Sequence, residues 1–276
     1  MQVLVTGANG YLGSSIAKQL KKRGVDLIQL VRSSPTVDQV VCDLLNIQSL
    51  QKIASDYQPD VIIHCAAFVP KTLVEYSNAE LASNNTVMLS NIIQCFSSRI
   101  VFVSSMTVYG ESSRITRSEQ DAGEPQSEYG LSKLHCEGVL CSSGRDSVAI
   151  RIPGLFGGNR DTGLVANVVK AFKSKVTPSL PTQKLLWAAM DVEDAATIIS
   201  ELALMEWSGF NPINVGYDDT YSINGFLELC AEEFCFSVDN EIDHPKFSFD
   251  LSKLKSLGLY PTNNLRNAIQ RMAAKF

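Results

Sequence analysis

Short apolar runs of three to six residues alternate along the first half of the chain with longer stretches whose apolar positions recur at helical spacing. The runs are Gln2 to Val5, Leu27 to Val31, Val40 to Cys42, Val61 to Ile63, Ile100 to Val103 and Ser147 to Ile152. Between them, Ile16, Ala17 and Leu20 mark a helix that Gly24 stops, and residues 47–57 and 80–96 read as two more. Six strands alternating with helices predict an α/β fold built on a doubly wound parallel sheet.

After Gly157 the rhythm changes. The spacing predicts helices over 164–172, 192–206, 223–234 and 265–272, an edge strand at Trp187 to Met190 and a strand at Ile213 to Val215. Asp191 is the expected cap of the second of these helices. The expected division is a sheet domain of residues 1–157 plus about 186–216, with a smaller cap of about 158–185 and 217–276.

The strand ends carry the candidate chemistry, because ligands of such sheets sit outside the strands' carboxyl ends. Thr6-Gly7-Ala8-Asn9-Gly10-Tyr11-Leu12-Gly13 follows the first strand and opens a helix. Gly7 permits the tight turn, Gly10 lets backbone approach a pyrophosphate, and Gly13 lets the helix pack closely. The anion belongs at the helix N-terminus, facing the N–H groups of Tyr11, Leu12 and Gly13, with Asn9 in the turn. At the second strand's end an NAD site usually places a carboxylate for the adenosine ribose. Here the residues are Arg32 and Ser33, suited to a 2′-phosphate, so NADP is preferred over NAD. Asp43 and Leu44 after the third strand face the adenine, and Cys65, Ala66 and Ala67 after the fourth let a cofactor pass. Ser104 and Ser105 end the fifth strand, and Tyr129 and Lys133 lie four apart on the next helix, stacked on one face. That is equipment for moving a proton to or from a carbinol.

Composition narrows the classes. A chain of 276 residues with 45% hydrophobic positions can bury a large core, and a net charge of −5 gives no footprint for nucleic acid or an anionic membrane. No apolar run approaches a membrane span. The opening strand leaves no room for a signal peptide. Seven cysteines without a CxxC spacing point to a reducing, cytoplasmic setting, and three scattered histidines give no metal site.

With these residues in hand, the chain resembles the extended short-chain dehydrogenase/reductase family of nucleotide-sugar epimerases, dehydratases and reductases. TGANGYLG is similar to its TGxxGxxG, VIIHCAA to its VxHxAA, and VSSMTVYG and YGLSKLHCE to its catalytic motifs. RIPGLFG, MDVEDAA, INVGYDDTYSI and FDLSKLKSLGLYP follow in the family's order. The resemblance implies a Rossmann-type fold, a Ser105, Tyr129 and Lys133 triad, and Asn85, Ser104 and Pro153 beside the cofactor. It also implies a homodimer through the helices at about 80–96 and 127–143. A free Tyr titrates near 10, so a base for neutral pH needs stabilisation of its phenolate by about 4 kcal/mol. The Lys133 ammonium is expected to supply part of it. Tyr109, Glu137 and His64 read as structural.

Family members that eliminate water carry an Asp-Glu pair after the triad serine. Met106 and Thr107 cannot do that work, which leaves ketone reduction and 4-epimerisation. The missing ribose carboxylate favours an NADPH-dependent 4-keto-sugar reductase over an epimerase that retains NAD. Phe68, Ser105, Met106, Thr107, Gly154, Phe156 and Arg160 are the expected substrate contacts, the substrate being a nucleotide-linked sugar. Two departures keep a carbonyl substrate without a nucleotide open: Gly154 stands where many relatives have Asn, and Lys184 where many have Arg. Some relatives bind the dinucleotide as regulators or assembly subunits; these typically lose the Tyr or Lys that this chain keeps.

Overall fold

The computed structural model describes residues 1–110, 114–121 and 123–276. In chain order the first elements are β1 (Gln2–Thr6), α1 (Tyr11–Lys22), β2 (Asp26–Val31), β3 (Gln39–Val41) and α2 (Ile47–Asp56). Next come β4 (Val61–His64), α3 (Leu73–Tyr76), α4 (Ala79–Cys95), β5 (Arg99–Val103), β6 (Thr116–Arg117), α5 (Glu128–Ser142) and β7 (Ser147–Arg151). The remainder is β8 (Gly154–Phe156), α6 (Leu164–Lys173), β9 (Ala189–Asp191), α7 (Val192–Leu204) and β10 (Phe210–Asn214). α8 (Ile223–Phe234), β11 (Ser248–Phe249), α9 (Ser252–Ser256) and α10 (Leu265–Ala273) complete the chain.

Two compact units result. The first comprises residues 1–110, 122–152 and 196–213, the second 111–121, 153–195 and 214–276. The second therefore takes in 111–121 and 186–195, which the sequence placed with the sheet.

A seven-stranded sheet in the order β10-β7-β5-β4-β1-β2-β3 organises the first unit. Strands β1 to β5 and β7 pair in parallel, with Val3 level with Leu27 on one side and Val61 on the other. The order reverses between β1 and β4, so the crevice outside their carboxyl ends is the switch point at which such sheets bind ligands. Alternate residues supply each face. Leu4, Ile28, Leu30, Ile62, Ile100, Phe102 and Ala149 form one apolar layer with Leu50 and Ile53 of α2, Leu89 and Ile92 of α4, and Cys136 and Leu140 of α5. Val3, Val5, Ile63, Val101 and Ile150, also buried, point the opposite way. β10, the strand expected at Ile213 to Val215, runs from Phe210 to Asn214 and joins the six alternating strands as an edge of the sheet.

Side-chain caps set the helix starts. Asn46, Asn78, Ser127, Ser222 and Asn264 each accept an N–H from the first turn of α2, α4, α5, α8 and α10. In the second unit β8 pairs in parallel with β9, and β6 with β11. The strand expected at Trp187 to Met190 is thus a ribbon partner of β8, starting at Ala189, instead of a sheet edge. Trp187 itself stacks on Phe226 at 5.0 Å, so aromatic packing claims the residues before β9. Asp191 Oδ1 accepts the Glu193 N–H at 2.8 Å, the capping role expected of it.

Candidate active site

β1 ends in a turn that only glycine can build. Gly7 has φ +65°, and a Cβ there would lie 3.0 Å from the Ala66 Cα. A Cβ on Gly13 would come within 2.2 Å of the Gly7 carbonyl oxygen, so α1 packs against the turn as closely as backbone allows. No side chain caps α1, and no acidic residue occupies its first turn. Its leading N–H groups and the positive end of its dipole therefore suit an anion. Asn9 Nδ2 donates to the Ser33 carbonyl at 2.9 Å, tying the turn to the end of β2. Arg32 and Ser33 are exposed there. A turn that Cβ atoms would fill, an uncapped helix and a cation in the ribose-carboxylate position fit a dinucleotide phosphate group.

After β3, Asp43 Oδ1 accepts the Leu45 N–H at 3.0 Å, and the buried Leu44 offers its carbonyl to Asn91 at 2.8 Å. Both residues brace the turn that was expected to face adenine. Cys65, Ala66, Ala67 and Phe68, after β4, are half-buried. Thr6 Oγ1 bonds His64 Nδ1 at 2.8 Å and accepts the Ala66 N–H at 3.1 Å. Burial, with Lys133 adding to the effect, lowers the His64 pKa to about 3, so its ring is neutral and structural. Asn85, expected beside the cofactor, commits its amide elsewhere. It accepts the Phe68 N–H at 2.7 Å and donates to the Phe68 carbonyl at 3.2 Å and to Ser132 Oγ at 3.1 Å. It thereby latches the β4 loop to α5.

Ser105, Tyr129 and Lys133, expected as a triad, lie just past the end of β5 and in the first turns of α5, all three side chains buried. Ser105 Oγ accepts from the Thr107 N–H at 3.2 Å and the Thr107 hydroxyl at 3.0 Å. Lys133 Nζ donates to the Val103 carbonyl at 2.8 Å and stands 5.8 Å from the centre of the Tyr129 ring. Burial lowers its pKa to about 8, against opposing pulls from Cys136, Cys65 and Glu137. The Tyr129 phenol moves opposite to the sequence expectation. Burial raises it above its ordinary value and Tyr76 adds to the rise, while the Ser105 hydrogen bond works against it. The Lys133 ammonium, expected to favour the phenolate, donates to the Val103 carbonyl.

One turn further along α5 is a second buried cluster. Glu137 accepts from Ser104 Oγ at 2.5 Å and from Arg151 Nη2 at 2.7 Å, and Arg151 Nη1 donates to the Tyr109 hydroxyl at 3.1 Å. The anchoring roles read for Glu137 and Tyr109 match this network. Ser104, expected at the cofactor, spends its hydroxyl on Glu137.

Of the remaining expected contacts, Met106 is buried and Thr107 half-buried in the turn after β5. Pro153, Gly154, Phe156 and Arg160 belong to the second unit: Gly154 and Arg160 are exposed, Pro153 and Phe156 buried. Lys184 is exposed. Sequence reasoning missed Tyr76, whose ring meets Tyr129 edge-on at 6.0 Å. A lone aromatic ending the four-residue α3 gives no periodic signal, and only the fold brings it to Tyr129. No group of three or more His, Cys, Asp or Glu among the described residues is placed to hold a metal, and no described helix is long and apolar enough to cross a membrane.

The model of the NAD dependent epimerase/dehydratase family matches residues 3–216, from β1 to the end of the sheet. The chain belongs to that family. Its members are extended short-chain dehydrogenase/reductases, and the chain is accordingly an NAD(P)-dependent enzyme of that type. Among similar proteins, methionine adenosyltransferase 2 subunit beta of Mus musculus is 25% identical, over 98% of this chain and 86% of its own length. A probable low-salt glycan biosynthesis reductase of Haloferax volcanii is 31% identical over 59% of this chain and 56% of its own. The crystal structure of a UDP-glucose 4-epimerase of Thermotoga maritima with UDP-glucose superposes with a TM-score of 0.81. It is 20% identical and covers 99% of this chain and 98% of that one, a likeness of fold.

Proposed function

We propose that this family member is an NADPH-dependent ketoreductase acting on a 4-keto nucleotide sugar. The observation that carries the reading is the end of β2, where Arg32 and Ser33 are exposed and Val31 to Ser34 include no carboxylate. A carboxylate would repel a 2′-phosphate; a guanidinium attracts it. Gly7, Asn9, Gly10 and Gly13, the start of α1, and Arg32 with Ser33 are the residues that would hold the dinucleotide. When bound, it supplies the hydride.

The chain's own residues handle the proton. Burial keeps the Tyr129 phenol protonated, which is the form a ketone reduction consumes. Ser105 donates to the substrate oxygen as charge builds on it. Lys133, still largely charged at pH 7, favours the phenolate left behind when Tyr129 gives up its proton. Met106 and Thr107 offer neither acid nor base, so dehydration is outside the repertoire.

The relatives support a sugar-linked substrate: the Haloferax volcanii protein is named as a glycan biosynthesis reductase, and the Thermotoga maritima epimerase holds UDP-glucose. The epimerase reading uses the same triad and differs in the fate of the hydride. We also propose a cytoplasmic homodimer through α4 and α5, which pack together and expose Val87 and Leu131. A monomeric mass in light scattering at micromolar concentration would contradict it.

The test is a screen of NADPH oxidation against 4-keto nucleotide sugars, with calorimetry of NADPH and NADH on wild type and Arg32→Ala. The reading expects turnover with NADPH and a preference for NADPH that Arg32→Ala removes. Equal affinities in wild type would remove its basis, and a co-purifying NAD with no net oxidation would favour the epimerase.

A further inference from the structure

We propose that Thr107 is a positioning residue that makes Ser105 a one-way proton donor toward Tyr129 and the substrate oxygen. The inference rests on Tyr129 being the proton-transfer group. A serine hydroxyl has one proton and two lone pairs, and its rotor ordinarily lets it donate or accept. At Ser105 both lone pairs are taken. The Thr107 N–H donates into Oγ at 3.2 Å and the Thr107 hydroxyl at 3.0 Å. Ser105 is the N-cap of a short 3₁₀ turn over Met106–Val108, so the Thr107 backbone is held in place by that turn. Threonine's branched side chain restricts χ1 and keeps its hydroxyl aimed. What Ser105 has left is its own proton, and the Ser105 hydroxyl is the one influence that favours the Tyr129 phenolate against burial.

Two consequences follow. A donor-only Ser105 stabilises negative charge on the phenol oxygen or on a substrate oxygen that comes beside it. It also cannot accept the Tyr129 proton. The phenol O–H must therefore point away from Ser105, free for an arriving ketone, instead of being trapped in a hydrogen bond between the two hydroxyls. Thr107, which the sequence marked as a substrate contact unable to act as acid or base, thus sets the direction in which the site's hydroxyls pass their protons.

Thr107→Val keeps the shape and the N–H but opens one lone pair on Ser105; Thr107→Ser keeps the hydroxyl. The experiment follows the Tyr129 ring by ¹³Cζ-tyrosine NMR across pH in the full chain saturated with NADP⁺, with Tyr129→Phe assigning the signal. Thr107→Val should ionise only at higher pH, with the phenolate fraction at a fixed pH reduced about three- to tenfold. Thr107→Ser should superimpose on wild type. In a Ser105→Ala background, Thr107→Val should change nothing further, because the effect runs through Ser105. An unshifted Thr107→Val, or an equal shift without Ser105, would overturn the proposal and assign Thr107 a packing role. Thr107→Ala carries the same comparison should the valine variant not fold. The titration needs no substrate, so failure of every ketone in the turnover screen leaves it decisive.

Discussion

Helix α5 carries two buried charged groups one turn apart, and their surroundings differ sharply. Glu137 is paired with the Arg151 guanidinium and bonded by Ser104, and Arg151 also reaches Tyr109. Burial works against Arg151's charge, but Glu137 outweighs it and holds the guanidinium above its ordinary value. Lys133 has a backbone carbonyl at 2.8 Å and aromatic rings around it, and burial brings it down to about 8. The Glu137 cluster is built to stay as it is. The Lys133 cluster keeps a cation that burial disfavours close to a phenol that burial holds protonated, an arrangement suited to moving a proton.

The sharpest way to break the comparison is to remove one group from each side. Tyr129→Phe should lower turnover about 10²–10⁴-fold while leaving the melting temperature within a few degrees. Unchanged biological activity of that variant would mean that the protein works without the triad. Arg151→Met should leave Glu137 buried and unpaired and cost about 3–5 kcal/mol in denaturant unfolding, with turnover lost only as the fold is lost. The double variant Glu137→Leu with Arg151→Met should recover part of that loss, since it buries no lone charge.

Lys133→Met sharpens the contrast because it should move stability the other way. The folded pKa of Lys133 lies below its ordinary 10.5, so its ionised form costs stability at neutral pH. The cost is relieved as pH rises from about 8 towards 10.5. Lys133→Met should therefore be about 1–3 kcal/mol more stable than wild type at pH 7 and lack the rise above pH 8, while losing turnover. Urea melts at pH 7 and pH 10 read both. His64 is read in the same way at the acid end of the profile. Its folded pKa of about 3 lies below the ordinary 6.5, so its contribution is full above pH 6.5 and lost as pH falls towards 3. The loss should be about 1.4 kcal/mol per pH unit, and His64→Asn should flatten that part of the profile.

The sequence made the sheet and the helix face shared by Tyr129 and Lys133 legible for one physical reason: both are written in local spacing. Apolar runs separated by helical periodicity identify the sheet strands, the last with its start three residues late, and a Tyr-Lys pair four apart declares a shared helix face. What escaped local reading is held by contacts distant in sequence. Asn85 and Ser104 sit in motif positions that suggested a cofactor, yet their partners lie up to 47 residues away, at Ser132 and Glu137. Trp187 looked like a strand residue by its apolar neighbours, but Phe226, on another helix, claims its ring. Tyr76 has no periodic signal at all. Thr107 was legible as an absence of acid and base; its hydrogen bonds to Ser105 needed the backbone geometry of the turn.

The central claim is that this triad serves net ketone reduction by NADPH, and the fate of the hydride tests it most directly. NADPH carrying deuterium in its transferable position is supplied with a 4-keto nucleotide sugar, and products are read by mass spectrometry and NMR. The account predicts one deuterium on the carbinol carbon of the product for each NADP⁺ released, and none in the Tyr129→Phe variant. A product without deuterium, formed while the protein retains its own dinucleotide and NADPH is not consumed, would contradict it.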